Sequence, residues 1–260
     1  MDKITLPAGI GDGLWIMQTL DPSQKYEIQI ADTSEEKRAG QLYKLLPDMV
    51  KSISFVKGNW QKVCTHELNT TFEKGVNIED LGKPINWNLP FKIPQKTGEY
   101  IKKFLPKKKG SNKKYVGIYT SSFKTSKALG GWGLDEWLEF MKLLKSFKPN
   151  IEFVLIGAAY DDIAFRIAEK HPLAKNALGY DLGLTIEILK RLDLLVGFQS
   201  GIGCLSTYFD KNTIMLFSAK FPKLHNAFTR KSSIGKTWKG CTFCEPLRLV
   251  DWISVNKFLT

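Results

Sequence analysis

Short apolar runs alternate with helix-length amphipathic stretches along this chain, and the alternation occurs twice. Lys3–Pro7, Tyr26–Ala31 and Ser52–Val56 read as strands, separated by helical stretches from about Asp12 to Leu20 and over Glu35–Leu46. After a poorly patterned segment and a short helix at Tyr100–Leu105, the order resumes. Strands are expected at Tyr115–Tyr119, Glu152–Ile156, Leu194–Gly197 and Thr213–Phe217, and helices at Leu134–Phe147, Asp161–His171, Leu184–Arg191, Ile202–Phe209 and Leu249–Phe258. A β-α-β-α-β order can bury its strands only as a parallel sheet with helices on both faces. The chain is therefore expected to be α/β and to form two units: 1–105, then a linker over 106–114 (PKKKGSNKK), then 115–260. Two such units facing each other leave a cleft, the usual place for a ligand.

Composition narrows the partners. With 38 Lys and Arg against 26 Asp and Glu, the net charge is +12. Seven lysines and no acid lie between Tyr100 and Lys114, and seven Lys or Arg and no acid between Lys211 and Cys244. Such runs fit nucleic acid, an anionic membrane surface or a phosphorylated substrate, or form only a solvated lysine-rich face. No apolar run reaches the length of a membrane span, and the amino-terminal residues lack the layout of a signal peptide. The expected location is the cytoplasm. The four cysteines, Cys64, Cys204, Cys241 and Cys244, include one C-x-x-C, but no second pair and no histidine at ligand spacing accompany it. Neither a bound metal nor a cofactor is expected.

Three glycine- or hydroxyl-rich turns carry the chemistry. The first, Ala8-Gly9-Ile10-Gly11-Asp12-Gly13, joins a strand to a helix. Gly9, Gly11 and Gly13 would let a substrate approach the backbone, and a helix N-terminus favours anions. Leu14 rules out the dinucleotide fingerprint, and no Gly-Lys-Ser/Thr follows. Asp12 fits a helix N-cap or a carboxylate base aimed into the cleft. The second turn, Tyr119 to Lys127, offers Ser121, Ser122, Lys124 and Lys127 to a phosphate, or is an ordinary surface loop. The third runs from a buried strand through Gln199, Ser200 and Gly201 into a helix, where backbone amides can hold a diphosphate. It has one residue too many for a serine-hydrolase elbow.

These turns come in the order found in the family-9 glycosyltransferases, the ADP-heptose:lipopolysaccharide heptosyltransferases and their shorter bacterial and phage relatives, which the chain resembles. The resemblance implies the GT-B fold, two Rossmann-like domains with the nucleotide-sugar in the C-terminal one and the acceptor on the N-terminal side. It matches the family's Gly-x-Gly-Asp to Gly9-Ile10-Gly11-Asp12, which makes Asp12 the expected catalytic base and Gly9, Gly11 and Gly13 an acceptor-side loop. Donor contacts are expected from Ser121, Ser122, Lys124 and Lys127, and from Gln199, Ser200 and Gly201. The family's Asp-Ser-Gly-x-x-His turn has become Gln199-Ser200-Gly201-Ile202-Gly203-Cys204. The implied activity is inverting, metal-independent transfer of a sugar from a nucleotide diphosphate to a hydroxyl of a lipopolysaccharide-type glycan. A phage-type DNA glycosyltransferase acting on a hydroxymethylated base is the alternative acceptor reading. In it the two basic runs form one electropositive face beside the cleft. A non-catalytic nucleotide-sugar-binding module is the third.

Overall fold

In the computed structural model, the residues described are 3–31, 38–58, 85–107, 110–120, 132–159, 161–198, 200–217, 237–242, 245–255 and 257–259. A first sheet holds β1 (Lys3–Pro7), β2 (Tyr26–Ala31) and β3 (Val50–Val56) in that order, all parallel. Helices α1 (Ile10–Gln18) and α2 (Arg38–Lys44) connect them. A second sheet has the order β6-β5-β4-β7-β8-β9, also parallel throughout. Its strands are β4 (Lys114–Tyr119), β5 (Ile151–Gly157), β6 (Lys175–Leu178), β7 (Leu194–Phe198), β8 (Thr213–Phe217) and β9 (Thr237–Thr242). Its helices are α4 (Leu134–Phe147), α5 (Asp162–Lys170), α6 (Leu182–Arg191), α7 (Gly201–Tyr208) and α8 (Pro246–Val255). The chain starts in the middle at β4, winds outward through β5 and β6, then returns to β7 and winds the other way. The reversal opens a crevice at the carboxyl ends of β4 and β7, where ligands of open α/β sheets bind.

Alternation along β4 assigns the two faces of that sheet. Val116 and Ile118 join Leu194, Val196 and Phe198 in a core with Trp137 and Phe140 of α4 and Leu249 of α8. Tyr115 and Tyr119 face the other way, into a core that also takes in Ile4, Leu6, Leu14, Ile28 and Leu42 of the first sheet and its helices. One apolar cluster thus runs through both units.

The most extensive contact between the units is made by α1 and α7. At one end, a Cβ on Gly201 would lie 2.8 Å from the Gly11 amide nitrogen and 2.8 Å from Ile10 Cβ, so only glycine fits there. At the other end, Asn86 donates to the Gln18 carbonyl at the close of α1 (2.8 Å), and three residues on, the Leu89 amide donates to the Tyr208 hydroxyl at the close of α7 (2.6 Å). The two helices run side by side in the same direction. The irregular strap 85–93 is pinned across their carboxyl ends by Phe91, whose ring meets Tyr208 edge-on at 5.6 Å.

Helix α3 (Gln95–Phe104) starts five residues before the expected Tyr100. Its sole buried residue is Ile101, so its first half shows no apolar stripe to read. It packs on α6 of the second unit, and Arg191 Nε donates to the Leu105 carbonyl just beyond it (2.9 Å). Two edge strands were also illegible. In β6 only Ala177 is buried, and β9 (TWKGCT) alternates too weakly to stand out. No helix among the described residues is long and apolar enough to cross a membrane.

Candidate active site

Helix α1 begins at Ile10, two residues earlier than the spacing suggests, and its N-cap is Gly9. Gly11 and Gly13 therefore lie inside the helix and not in an open acceptor-side loop. Each is small for a packing reason. A Cβ on Gly11 would lie 3.1 Å from Cys204 Sγ, and one on Gly13 would run into the Tyr43 hydroxyl. Gly9 acts differently, since the position of its missing Cβ is taken by Asp12 Oδ2. The absent side chain lets the carboxylate fold back over the helix entrance.

Asp12 is the third residue of α1, so it is not the N-cap. A first-turn acid is ordinarily stabilised by the helix dipole. Here burial outweighs that, and with only its own backbone N–H opposing, the pKa is pushed up to about 6. The neighbouring Cys204 thiol is pushed well above its usual range, first by burial and then by the Asp12 charge. Cys204 therefore stays protonated beside the acid. Replacing Gly9 by Ala is expected to displace the Asp12 carboxylate. Turnover should fall at least about tenfold while the melting temperature moves little, because no backbone atom is in the way of the new methyl. Full activity in Gly9→Ala would show that the folded-back position is not the working one.

Opposite Asp12 stands the start of α7. Ser200 is its N-cap, with Oγ accepting from the Gly203 amide (3.2 Å). The N-termini of α1 and α7 meet at Gly11 and Gly201, so the positive ends of two helix dipoles lie at one place. Alongside lies an open pocket whose wall includes Ile10 and Gln41 from the first unit and Tyr119, Ile156, Tyr180 and Ile202 from the second. Tyr180 lines it, and its hydroxyl is 2.9 Å from that of Tyr100. Burial and then this bond push the Tyr180 phenol up to about 12. The loop after β4 is anchored at its root. Thr120 donates to Asp161 (2.7 Å), and Asp161, buried at 2% exposure, caps α5 through the Ala164 amide (3.1 Å).

Of the expected site residues, Asp12, Ser200 and Gly201 come together here with Gly9 and Gly11. Ser121, Ser122, Lys124, Lys127 and Gln199 lie outside the described residues. So do Cys64 and Cys244 and most of the second basic run. Among the described residues no three His, Cys, Asp or Glu side chains gather as metal ligands would. Lys107 and Lys211, one from each basic run, lie near enough for their charges to repel. Lys107 pairs with Asp193 at 3.0 Å and Lys113 with Glu152 at 2.6 Å, at the amino ends of β7 and β5. The cavity sits at the carboxyl ends of the same sheet. The linker has to enter β4 at its amino end, which carries these lysines away from the crevice. Gln41, Thr120, Asp161 and Tyr180 were missed in the sequence, because each acts through a partner far along the chain.

No protein-family model and no curated protein sequence matches this chain. Solved structures do. A family-9 glycosyl transferase from Veillonella parvula superposes with a TM-score of 0.62 at 13% identity, covering 100% of this chain and 98% of its own. ADP-heptose lps heptosyltransferase II of E. coli gives 0.60 at 14%, over 100% and 98%. The E. coli heptosyltransferase WaaC with ADP gives 0.59 at 12%, over 98% and 99%. The chain has the GT-B fold. Within GT-B terms, the first sheet with α1 and α2 is the N-terminal Rossmann-like unit and the second sheet the C-terminal one.

Proposed function

We propose that this protein is a glycosyltransferase that moves a sugar from a nucleotide diphosphate to a hydroxyl of a lipopolysaccharide-type glycan, with inversion. The observation that carries the reading is Asp12, a carboxylate with a raised pKa beside the meeting point of two helix N-termini. A nucleotide's diphosphate suits the amides at Ser200 and Gly201, and its base suits the cavity running from Ile202 to Tyr180. Ser121, Ser122, Lys124 and Lys127 follow Thr120 in the sequence, and Gln199 precedes Ser200; Thr120 and Ser200 stand just beyond the carboxyl ends of the neighbouring strands β4 and β7.

In this mechanism ionised Asp12 accepts the proton of the acceptor hydroxyl as its oxygen attacks the anomeric carbon. The bond to the diphosphate oxygen breaks on the opposite face, so the anomeric configuration inverts. The charge gathering on the leaving diphosphate is met by the α7 amides and by Lys124 and Lys127. Support for the glycan acceptor comes from the two heptosyltransferases that share the fold. The DNA reading draws no support from Lys107 and Lys113, which lie at the far end of the sheet.

A panel of nucleotide diphosphates and their sugars, read by thermal shift, tests the proposal. At a hundredfold excess over Kd, a bound donor adds about 2.7 kcal/mol. In a chain of this size that raises the melting temperature by roughly 5–10 °C. If no nucleotide shifts the melt and no nucleotide-sugar is turned over, the reading is wrong.

A further inference from the structure

Gln41 belongs to the first unit yet helps wall the cavity of the second. Its Oε1 accepts a hydrogen bond from the Leu182 amide at 2.8 Å, across 141 residues of sequence. A backbone N–H can only donate, so this bond fixes which end of the carboxamide faces α6. Leu182 also lines the cavity, which places the carboxamide at its wall. Asp181 caps the same helix through the Leu184 amide, so Gln41 serves a different first-turn donor. The nitrogen end, Nε2, has no acceptor among the described residues.

The rest of the wall shows what such a donor could meet. Among the described residues no charged side chain lines the cavity, and Ile10, Ile156, Ile202 and the rings of Tyr119 and Tyr180 give it apolar surfaces. The Thr185 hydroxyl spends its proton on the Asp181 carbonyl (2.9 Å). A phosphate would find no cation among these described residues. A planar, uncharged heteroaromatic ring with acceptors on its edge would fit both the surfaces and the donor.

We infer that Gln41 is a specificity-determining residue for the nucleotide, its clamped carboxamide nitrogen donating to an acceptor on the edge of the base. This rests on the nucleotide reading above. It adds that base choice is made partly by the first unit, so that the base is read only when the two units are together.

Gln41→Glu separates the parts of the claim. The carboxylate still accepts from the Leu182 amide, and negative charge suits a helix N-terminus, so the melting temperature should hold or rise. The donor, however, becomes an acceptor. Titration of wild type and Gln41→Glu with ADP, UDP, GDP and CDP is the measurement. Wild type should prefer one base, and in the variant that nucleotide should lose about tenfold or more in affinity while the others change little. If the variant keeps the wild-type ranking, whether affinities are unchanged or uniformly weakened, the inference fails and the nucleotide reading stands. If wild type binds none of the four, both fail.

Discussion

Replacing Asp12 by Asn is expected to lower kcat by roughly 10²–10⁴-fold and leave donor affinity within about twofold. The acceptor hydroxyl needs a base, and Asn cannot take its proton, whereas the amides that hold the diphosphate remain. The pH profile gives an independent readout. Only ionised Asp12 can act, so the wild-type rate should rise up to about pH 6 and then level off. Stability should move the other way. The unfolded chain releases this proton near 3.8, the native protein near 6. Between those values the native state binds more protons, so its stability falls as pH rises through the window. Above it the whole cost stands, at most about 3 kcal/mol. Asp12→Asn removes that cost, so the inactive variant should melt higher than wild type at pH 7.5 and alike at about pH 4. A variant with near-normal turnover would remove Asp12 from the chemistry.

Gly201→Val is expected to lower the melting temperature by roughly 6–12 °C and to abolish donor binding. The new side chain would enter the space held by the Gly11 nitrogen and Ile10 Cβ, each 2.8 Å from where a Cβ would stand. Those are backbone and branched atoms of α1 that cannot swing aside, so the helices must part at a cost of about 3 kcal/mol. Parting them also separates the two helix N-termini that meet there. Gly40→Ala is the control. Its Cβ would meet nothing nearer than Phe55 at 3.6 Å, and an Ala in a helix interior is worth about 1 kcal/mol over Gly, so that variant should be as stable as wild type or more so. Equal losses from both substitutions would mean that the close approach at Gly201 is not what matters.

The strands that sequence reading placed well are those buried on both faces. In β4, β5 and β7 nearly every residue is apolar and enclosed, and a run of that kind has few other folds open to it. What stayed hidden depends on partners. The polar helix α3 exists because α6 is there to cover Ile101. Edge strand β6 needs only backbone pairing to β5, which leaves no side-chain signature. The site divides in the same way. Asp12, Ser200 and Gly201 stand at strand-to-helix junctions whose residue types announce them. Gln41 looks like any surface glutamine until the fold brings it to Leu182. Gly11 and Gly13 carried a signal that was read as openness toward a ligand, when the structure uses their size for helix contact.

The parallel packing of α1 on α7 has a dynamic consequence. A Rossmann-like unit that opened independently of its neighbour would exchange its amide hydrogens on its own schedule. Here the two helices belong to different units but share one apolar cluster and one strap. Neither can unwind without exposing the other's buried stripe. Their central amides should therefore exchange with deuterium at a common, slow rate, as a single cooperative unit that straddles the sequence from residue 10 to residue 208.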